Sequence, residues 1–265
     1  MQTNYIMRER LGGIRMLGRE ALRGRWTESV LVVLAAMIML QVPVLLLESF
    51  SGGAGSMNLS TFGTGMTMNT QSPDLSWLGT VYVLIFGGAI SLGLAKYFID
   101  NHRRLEPDVS TVLDGFAYFG KALLLTLYMV LFIFLWSLLF IVPGIIAAIR
   151  YSQSYFILRD NPQMPVDRIV DTSKRMMMGN KGKYFGFCLS YIGWFLLSAI
   201  PLIIVTAVLQ HIGVAQTSSA MIWVDFVCSL AMLWAMAYMH AGRAAFYEIL
   251  VVNNHLREPL NAPRM

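Results

Sequence analysis

The chain has 265 residues, of which 56% are apolar and only 13% are charged, and its formal net charge is +5. A soluble domain carries about 25% charged residues, so this composition excludes an ordinary soluble protein and indicates lipid as the main solvent. Most of the length is then needed to cross a bilayer several times, which leaves no room for a separate catalytic domain.

Five apolar runs are long enough, or nearly so, to cross a hydrocarbon core of about 30 Å as a helix of roughly 20 residues. A sixth run, Gly144–Leu158, is shorter and contains polar residues, so hydropathy alone does not predict that it spans. Because the first run is longer than the apolar part of a signal peptide, we interpret it as an uncleaved span. The five longer runs are Ser29–Leu47, Trp77–Ile99, Ala122–Val142, Tyr184–Leu209 and Met221–Ala241.

The distribution of Lys and Arg favours the sixth run as a span. If the chain turns at Pro143 and Gly144 and crosses back, every one of the 20 Lys and Arg residues except Arg150 lies on one side. Cytoplasmic loops retain positive charge, and Pro and Gly permit a tight reversal. We therefore predict an all-α, polytopic transmembrane helical bundle of about six spans, with a Pro-Gly helical hairpin and both termini in the cytoplasm. The alternative is one long kinked helix whose second half is re-entrant or lies in the interface.

The N-terminal stretch Tyr5–Trp26 also has helical spacing, with apolar residues on one side and arginines on the other. This pattern favours an interfacial amphipathic helix that leads into the first span, and a solvated basic tail is the alternative. The predicted organisation is a cytoplasmic basic helix at 1–28, a single transmembrane domain at 29–250 and a cytoplasmic tail at 251–265.

Several short segments occur in a fixed order along the chain: Arg19–Trp26, Ile141–Ile146, Tyr151, Asp160–Pro162, Ser173, Met178–Lys181, Ser190–Trp194 and Ala245–Glu248. Together they resemble a bacterial integral membrane family, the domain-of-unknown-function family nine-seven-five. The resemblance implies a protein of the bacterial cytoplasmic membrane with several spans and no established activity. The chain departs from the family near the last span, where Gln210–Gly213 replaces a Gly-rich segment and a Pro-Tyr pair is missing.

Arg150 is the basic residue that this topology places inside a span, where an arginine normally faces a partner or a wet cavity. Asp225 lies at comparable depth in the last span and is the first candidate partner. Glu48 is a second candidate acceptor, and Gln153 adds a polar group to this candidate intramembrane site. One interpretation is a polar cavity for an anionic or zwitterionic ligand. The other is a structural ion pair that holds helices in register.

A second set of candidates consists of basic residues that flank spans and face lipid headgroups. Two lysines and the free amides at the start of a helix can hold a lipid phosphate, although the topological role of the charge explains these residues equally well. The expected partners are therefore an anionic bilayer and, as further candidates, another membrane protein or a second copy of the chain, and not nucleic acid. The candidate headgroup contacts are Arg15, Arg19, Arg23, Lys181 and Lys183.

The sequence contains no Walker loop, nucleophile elbow or His-Glu-x-x-His motif, and its four histidines lack the spacing of metal ligands. Asp100, Glu106, Asp108 and Asp114 have the pattern of a solvated face. We therefore expect no catalytic, metal or cofactor site, and a non-enzymatic accessory or scaffold component linked to transport of, or protection against, small amphiphiles. The alternatives are a small standalone transporter or channel with a polar intramembrane site and, third, an intramembrane enzyme.

Overall fold

The computed structural model describes residues 5–50, 76–211 and 219–253, and all the regular structure within these ranges is helical. The side chains at 48–50, 76, 199, 201–202, 206, 209–210 and 219–231 fall outside the description. A 3-10 helix at Val109–Tyr118 follows α3. The α-helices are α1 Leu11–Ala21, α2 Trp26–Phe50, α3 Ser76–His102, α4 Phe119–Leu139, α5 Ile141–Tyr151, α6 Ser154–Asp160, α7 Val166–Met176, α8 Lys181–His211 and α9 Ser219–Asn253.

Within the described residues, five helical segments are long and apolar enough to cross a membrane. One of them covers the short polar run that hydropathy alone does not predict. The last predicted span, Met221–Ala241, falls within α9, and half of it lies outside the described side chains. These helices confirm the predicted class, a helical bundle suited to a membrane. The five segments are Trp26–Leu47, Trp77–His102, Val109–Leu139, Ile141–Asp160 and Lys181–Val205.

The helices α4 and α5 form an antiparallel hairpin, and the chain reverses at Phe140. This residue has extended backbone angles, φ −159° and ψ 152°, and it both ends α4 and precedes α5. Contacts across the hairpin are centred on this position, so the alternative of one long kinked helix is wrong. The contacting pairs are Ser137 with Gly144, Thr126 with Tyr155, and Lys121 with Pro162.

The reversal therefore lies three residues before the predicted Pro143-Gly144 turn. Pro143 is accommodated in the first turn of α5, where the proline nitrogen would have no intrahelical partner in any case. Gly144 lies directly against the side chain of Ser137, and a Cβ at this position would overlap it. The Pro-Gly pair thus shapes the second arm of the hairpin rather than the turn itself.

Helix α1 is shorter than the predicted amphipathic helix, and its apolar face packs on protein. Ile14, Gly18 and Ala21 are buried, and α1 packs mainly against α9. A Cβ on Gly18 would lie only 2.8 Å from the Cα of Gly242, so the two backbones are in direct contact. The N-terminal helix is consequently part of the bundle.

The residues that precede α1 are anchored to the start of α8. Asn180 is fully buried, and its Nδ2 donates to the carbonyl of Tyr5 at 2.8 Å and to that of Met176 at 3.1 Å. Its Oδ1 accepts the backbone N–H of Met7 at 2.8 Å. Lys183 Nζ donates to the carbonyl of Met7 at 2.7 Å. The N-terminal segment is thereby held against the turn between α7 and α8.

The segment from α1 into α2 recurs as the segment from α7 into α8. In each, a short amphipathic helix is followed by a glycine with positive φ, Gly24 at 84° and Gly179 at 83°. A long helix begins two residues after each glycine. The backbone hydrogen bond from Leu22 N to Gly18 O recurs, at the same chain spacing, as that from Met177 N to Ser173 O. The fold therefore contains an internal repeat, and the predicted topology places both copies in the same orientation.

Candidate functional site

The structure describes part of the predicted intramembrane site. Arg150 is half-buried, and its carbonyl accepts a hydrogen bond from Ser173 Oγ at 2.7 Å. The side chains of Asp225 and Glu48 lie outside the described residues, so their pairing with Arg150 stays a prediction. Gln153 is fully buried, with its Nε2 donating to Ser152 Oγ at 2.9 Å.

The predicted headgroup contacts occupy several environments. Arg19 and Arg23 are exposed, whereas Arg15, Lys181 and Lys183 are half-buried. The ammonium of Lys183 is engaged with the backbone of Met7. Contact between these side chains and lipid headgroups stays a prediction, and Lys183 has an intramolecular role that the sequence did not reveal.

Arg243 lies among the helices of the bundle, and sequence reasoning did not select it. It lies on α9, near Tyr184 and Cys188 of α8 and Tyr155 of α6. Its Nε is buried and has no hydrogen-bond partner among the residues that the structure describes, yet part of the side chain remains accessible. Among the ion pairs of the described residues, none includes Arg243. An enclosed guanidinium without a described carboxylate is unusual, because burying an unpaired charge is costly.

Further polar groups lie where the returning arm of the hairpin is interrupted. Helix α5 ends at Tyr151 and α6 begins at Ser154. The interruption places Ser152 beside the hydroxyl of Tyr184. Gln153 and Ser154 are fully buried, and within the described part of the chain Gln153 Oε1 and Ser154 Oγ have no hydrogen-bond partner. We call Arg243, Tyr184, Tyr155, Ser152 and Cys188 the Arg243 site. Its charge and hydroxyl groups suit an anion.

A cluster of ion pairs joins the ends of three helices. Arg103, just after α3, makes a two-point contact with Asp160 at the end of α6, with distances of 2.9 Å and 2.8 Å. Its Nε also contacts Glu248 of α9. Arg159 contacts Asp160 at 2.5 Å and also contacts Asp100. These side chains are between 6% and 19% exposed, so the pairs are largely shielded from water. We call Asp100, Arg103, Arg159, Asp160 and Glu248 the ion-pair layer.

Electrostatics hold Arg103 firmly in its charged form. Burial alone would lower its pKa, but the carboxylates of Asp160 and Glu248 outweigh burial and raise the pKa above that of a free guanidinium. The carboxyl ends of α3 and α6 carry partial negative charge, which further favours a cation at this position. Arg103 therefore stays charged throughout the physiological pH range.

The prediction that Asp100 belongs to a solvated face is wrong. The residue is only 7% exposed and contacts Arg159. The reason is that α3 continues to His102, so Asp100 occupies a helical position that faces the bundle rather than a loop. The sequence did carry a signal for the ion-pair layer, because two of its residues, Asp160 and Glu248, fall in segments that resemble the family.

The ion-pair layer lies beyond the Arg243 site along two helices. Asp160 follows Tyr155 by five residues on α6, and Glu248 follows Arg243 by five residues on α9, a rise of about 7.5 Å at 1.5 Å per residue. Between them, the rings of Phe156 and Tyr247 stack with centroids 5.2 Å apart. The hydroxyl of Tyr247 donates to Asp160 Oδ2 at 3.0 Å. Going along the helices, the order is the Arg243 site, the aromatic pair and the ion-pair layer.

Comparison with known proteins gives one match. The sequence model of the family described as "Protein of unknown function (DUF975)" matches residues 7–149 and 141–254, which together span nearly the whole chain. No curated protein and no solved structure matches this chain. The chain, an all-helical protein with several apolar helices long enough to span a membrane, therefore belongs to the DUF975 family that its sequence resembles.

Proposed function

We propose that this protein is a non-enzymatic accessory component of the bacterial cytoplasmic membrane that binds anionic amphiphiles, with Arg243 holding the acidic headgroup. The observation that carries the proposal is the enclosed guanidinium of Arg243, which forms no ion pair with the described residues. A protein that keeps such a charge in its interior incurs a desolvation cost, and an incoming anion offsets that cost. The planar guanidinium also matches phosphate and carboxylate groups at two points.

The surroundings of Arg243 support a ligand that has both a headgroup and a tail. The hydroxyl of Tyr184 lies near the guanidinium and can donate to an anion. The hydroxyl of Tyr155 donates to Thr126 Oγ1, whose own proton goes to the carbonyl of Ala122. Helix α8, which carries Tyr184, also exposes a series of apolar side chains that suit contact with lipid or with an alkyl chain. Exposed apolar residues on this helix include Phe185, Leu189, Ile192, Leu196 and Leu197.

The native thiol of Cys188 provides a test, because it lies close to Arg243. We would replace Cys228 by Ser and compare two thiol reagents of similar size, the anionic sulfonatoethyl and the cationic trimethylammonioethyl methanethiosulfonate. The positive charge of Arg243 should make the anionic reagent react faster with Cys188, and dodecyl phosphate should slow both reactions. Arg243→Gln should abolish the preference and the protection, whereas Arg243→Lys should retain the preference.

The controls separate binding from folding. Replacing Arg243 strands no described carboxylate, so Arg243→Gln should keep the melting temperature of the parent protein in detergent. Dodecyltrimethylammonium, which has the same tail and a cationic head, should not protect Cys188. An anion-to-cation rate ratio that is the same in the parent protein and in Arg243→Gln would exclude the proposal.

A second candidate function is a small transporter, which the interruption of the helix at Ser152 and Gln153 favours. Broken helices near the middle of the membrane often form the substrate sites of transporters. This function predicts that proteoliposomes containing the protein move a labelled alkyl phosphate between leaflets or across the bilayer. A binding component acting without a partner would bind the same compound but would not move it.

A further inference from the structure

We infer that the ion-pair layer is a gate that closes the Arg243 site toward the aqueous face at which α3 and α6 end, an inference that rests on the proposed binding function. The layer connects α3, α6 and α9, which are distant in the sequence, and Arg103 contacts carboxylates on two of them. Opening these ion pairs would expose the aromatic pair and then the site behind it.

Helix α6 is the element best placed to move. It has only seven residues, and it lies between the interruption at Ser152–Gln153 and the turn that begins at Asn161. Its last residue, Asp160, is held by Arg103, Arg159 and the hydroxyl of Tyr247. Because Tyr155 of the Arg243 site lies on the same short helix, a displacement of Asp160 would also change the site.

Tyr247 connects the ion-pair layer to the aromatic pair, of which it is one member. Its hydroxyl binds Asp160, and its ring stacks on Phe156, also on α6. A change in the ion pairs therefore reaches the aromatic pair through a single side chain. Both Tyr247 and Phe156 are buried, which is expected of a barrier that excludes water.

The charges of the layer suit a gate for anions. Three carboxylates, those of Asp100, Asp160 and Glu248, face two guanidiniums, those of Arg103 and Arg159. While the layer is closed, these carboxylates occupy both arginines, so an approaching anion must compete with them. An acidic headgroup that displaces Asp160 from Arg103 would itself pair with the guanidinium and so open the contact.

The gate can be tested with a neutral reagent, hydroxyethyl methanethiosulfonate, on Cys188 of the full chain with Cys228→Ser in nanodiscs. Modification should be slow in the parent protein and about tenfold or more faster in Arg103→Gln, which removes both ion pairs of the layer's central residue. Tyr247→Phe removes only the hydroxyl that binds Asp160 and should give a smaller increase of about threefold. The matched control is Asp171→Asn, which breaks the exposed Asp171–Lys174 pair and should leave the rate unchanged.

If a folded Arg103→Gln protein is modified at Cys188 no faster than the parent protein, the gate is overturned. It is also overturned if Asp171→Asn speeds the modification as much as Arg103→Gln does, because that would indicate a general loosening of the structure. If Arg103→Gln does not fold, Tyr247→Phe serves as the test. Modification of Cys188 in Tyr247→Phe at the same rate as in the parent protein would overturn the gate, and faster modification would support it. The neutral reagent reports the gate, whereas the anion-to-cation rate ratio reports the charge of Arg243. If the neutral reagent reacts faster in Arg103→Gln but the parent protein shows no preference for the anionic reagent, the gate is supported and only the proposed ligand class is excluded.

Discussion

Arg103 and Asp160 pair through two parallel hydrogen bonds although 57 residues separate them in the chain. The pair joins the end of α3 to the end of α6, and Glu248 brings α9 to the same guanidinium. The contact therefore fixes the relative positions of three helices at one end of the bundle. Because both partners are largely buried, we expect it to influence stability more than an exposed pair would.

Breaking this pair should destabilise the protein. Arg103→Ala strands buried carboxylates, and Asp160→Ala strands guanidiniums, and each loss should cost about 3–5 kcal/mol. The double variant should lose clearly less than the sum of the two, as measured by thermal unfolding in detergent. Asp171→Asn, in an exposed pair, should cost at most about 1 kcal/mol. Additive losses for Arg103 and Asp160 would show that the two residues are not coupled.

Two glycines of α1 should respond in opposite ways to alanine. Gly18→Ala places a methyl 2.8 Å from the Cα of Gly242, which should displace α1 from α9 at a cost of about 1–3 kcal/mol. Gly12 has nothing within 4 Å of its added Cβ, so Gly12→Ala should stabilise the helix by up to about 1 kcal/mol. Trypsin cleavage after Arg19 and Arg23 would measure the displacement. Equal cleavage of the two variants would contradict the packing of α1 on α9.

Asn180→Ala should release the N-terminal segment. The variant loses hydrogen bonds to Tyr5, Met7 and Met176 and leaves buried backbone groups without partners, at a cost of about 1–3 kcal/mol. Hydrogen exchange at the amide of Met7 should become faster. The matched control, Asn253→Ala, removes an exposed amide that bonds to the carbonyl of Ile249 and should leave that exchange unchanged. Protection of Met7 in Asn180→Ala would rule out the anchoring role.

The predicted topology can be tested with single cysteines at Ser56, Gln163 and Ser218, after both native cysteines are replaced. An impermeant thiol reagent applied to intact cells should label positions 56 and 218 and should leave 163 unlabelled, because the basic loop containing Gln163 is predicted to be cytoplasmic. Permeabilised cells should show labelling of all three positions. Labelling of 163 in intact cells would contradict the orientation.

The membrane class and the helical hairpin followed from the sequence because both depend on properties that accumulate locally along the chain. A run of apolar side chains favours a spanning helix whatever it packs against, and Lys and Arg favour one side of the membrane independently of the fold. The turn itself was misplaced by three residues because a proline is compatible with the first turn of α5 as well as with a reversal.

The partners of the charged residues were decided by tertiary packing. Arg103, Asp160 and Glu248 look like ordinary flanking charges in the sequence, and only the meeting of α3, α6 and α9 makes them a buried network. The same holds for Arg243, which sits at the inner end of a predicted span like any topological arginine until α6 and α8 enclose it. Asp100 was assigned to a solvated face because the sequence does not show where α3 stops.

The internal repeat is also a tertiary finding. The two copies share Gly24 with Gly179 and Ile14 with Ile169 but few other residues, so the sequence gives little sign of duplication. Backbone hydrogen bonds do not depend on side-chain identity, and a positive φ needs only a glycine. Hydropathy, which is a sum over local segments, therefore indicated which helices can span a membrane. Contacts between distant helices decided which charges are paired and which guanidinium has no described ion-pair partner.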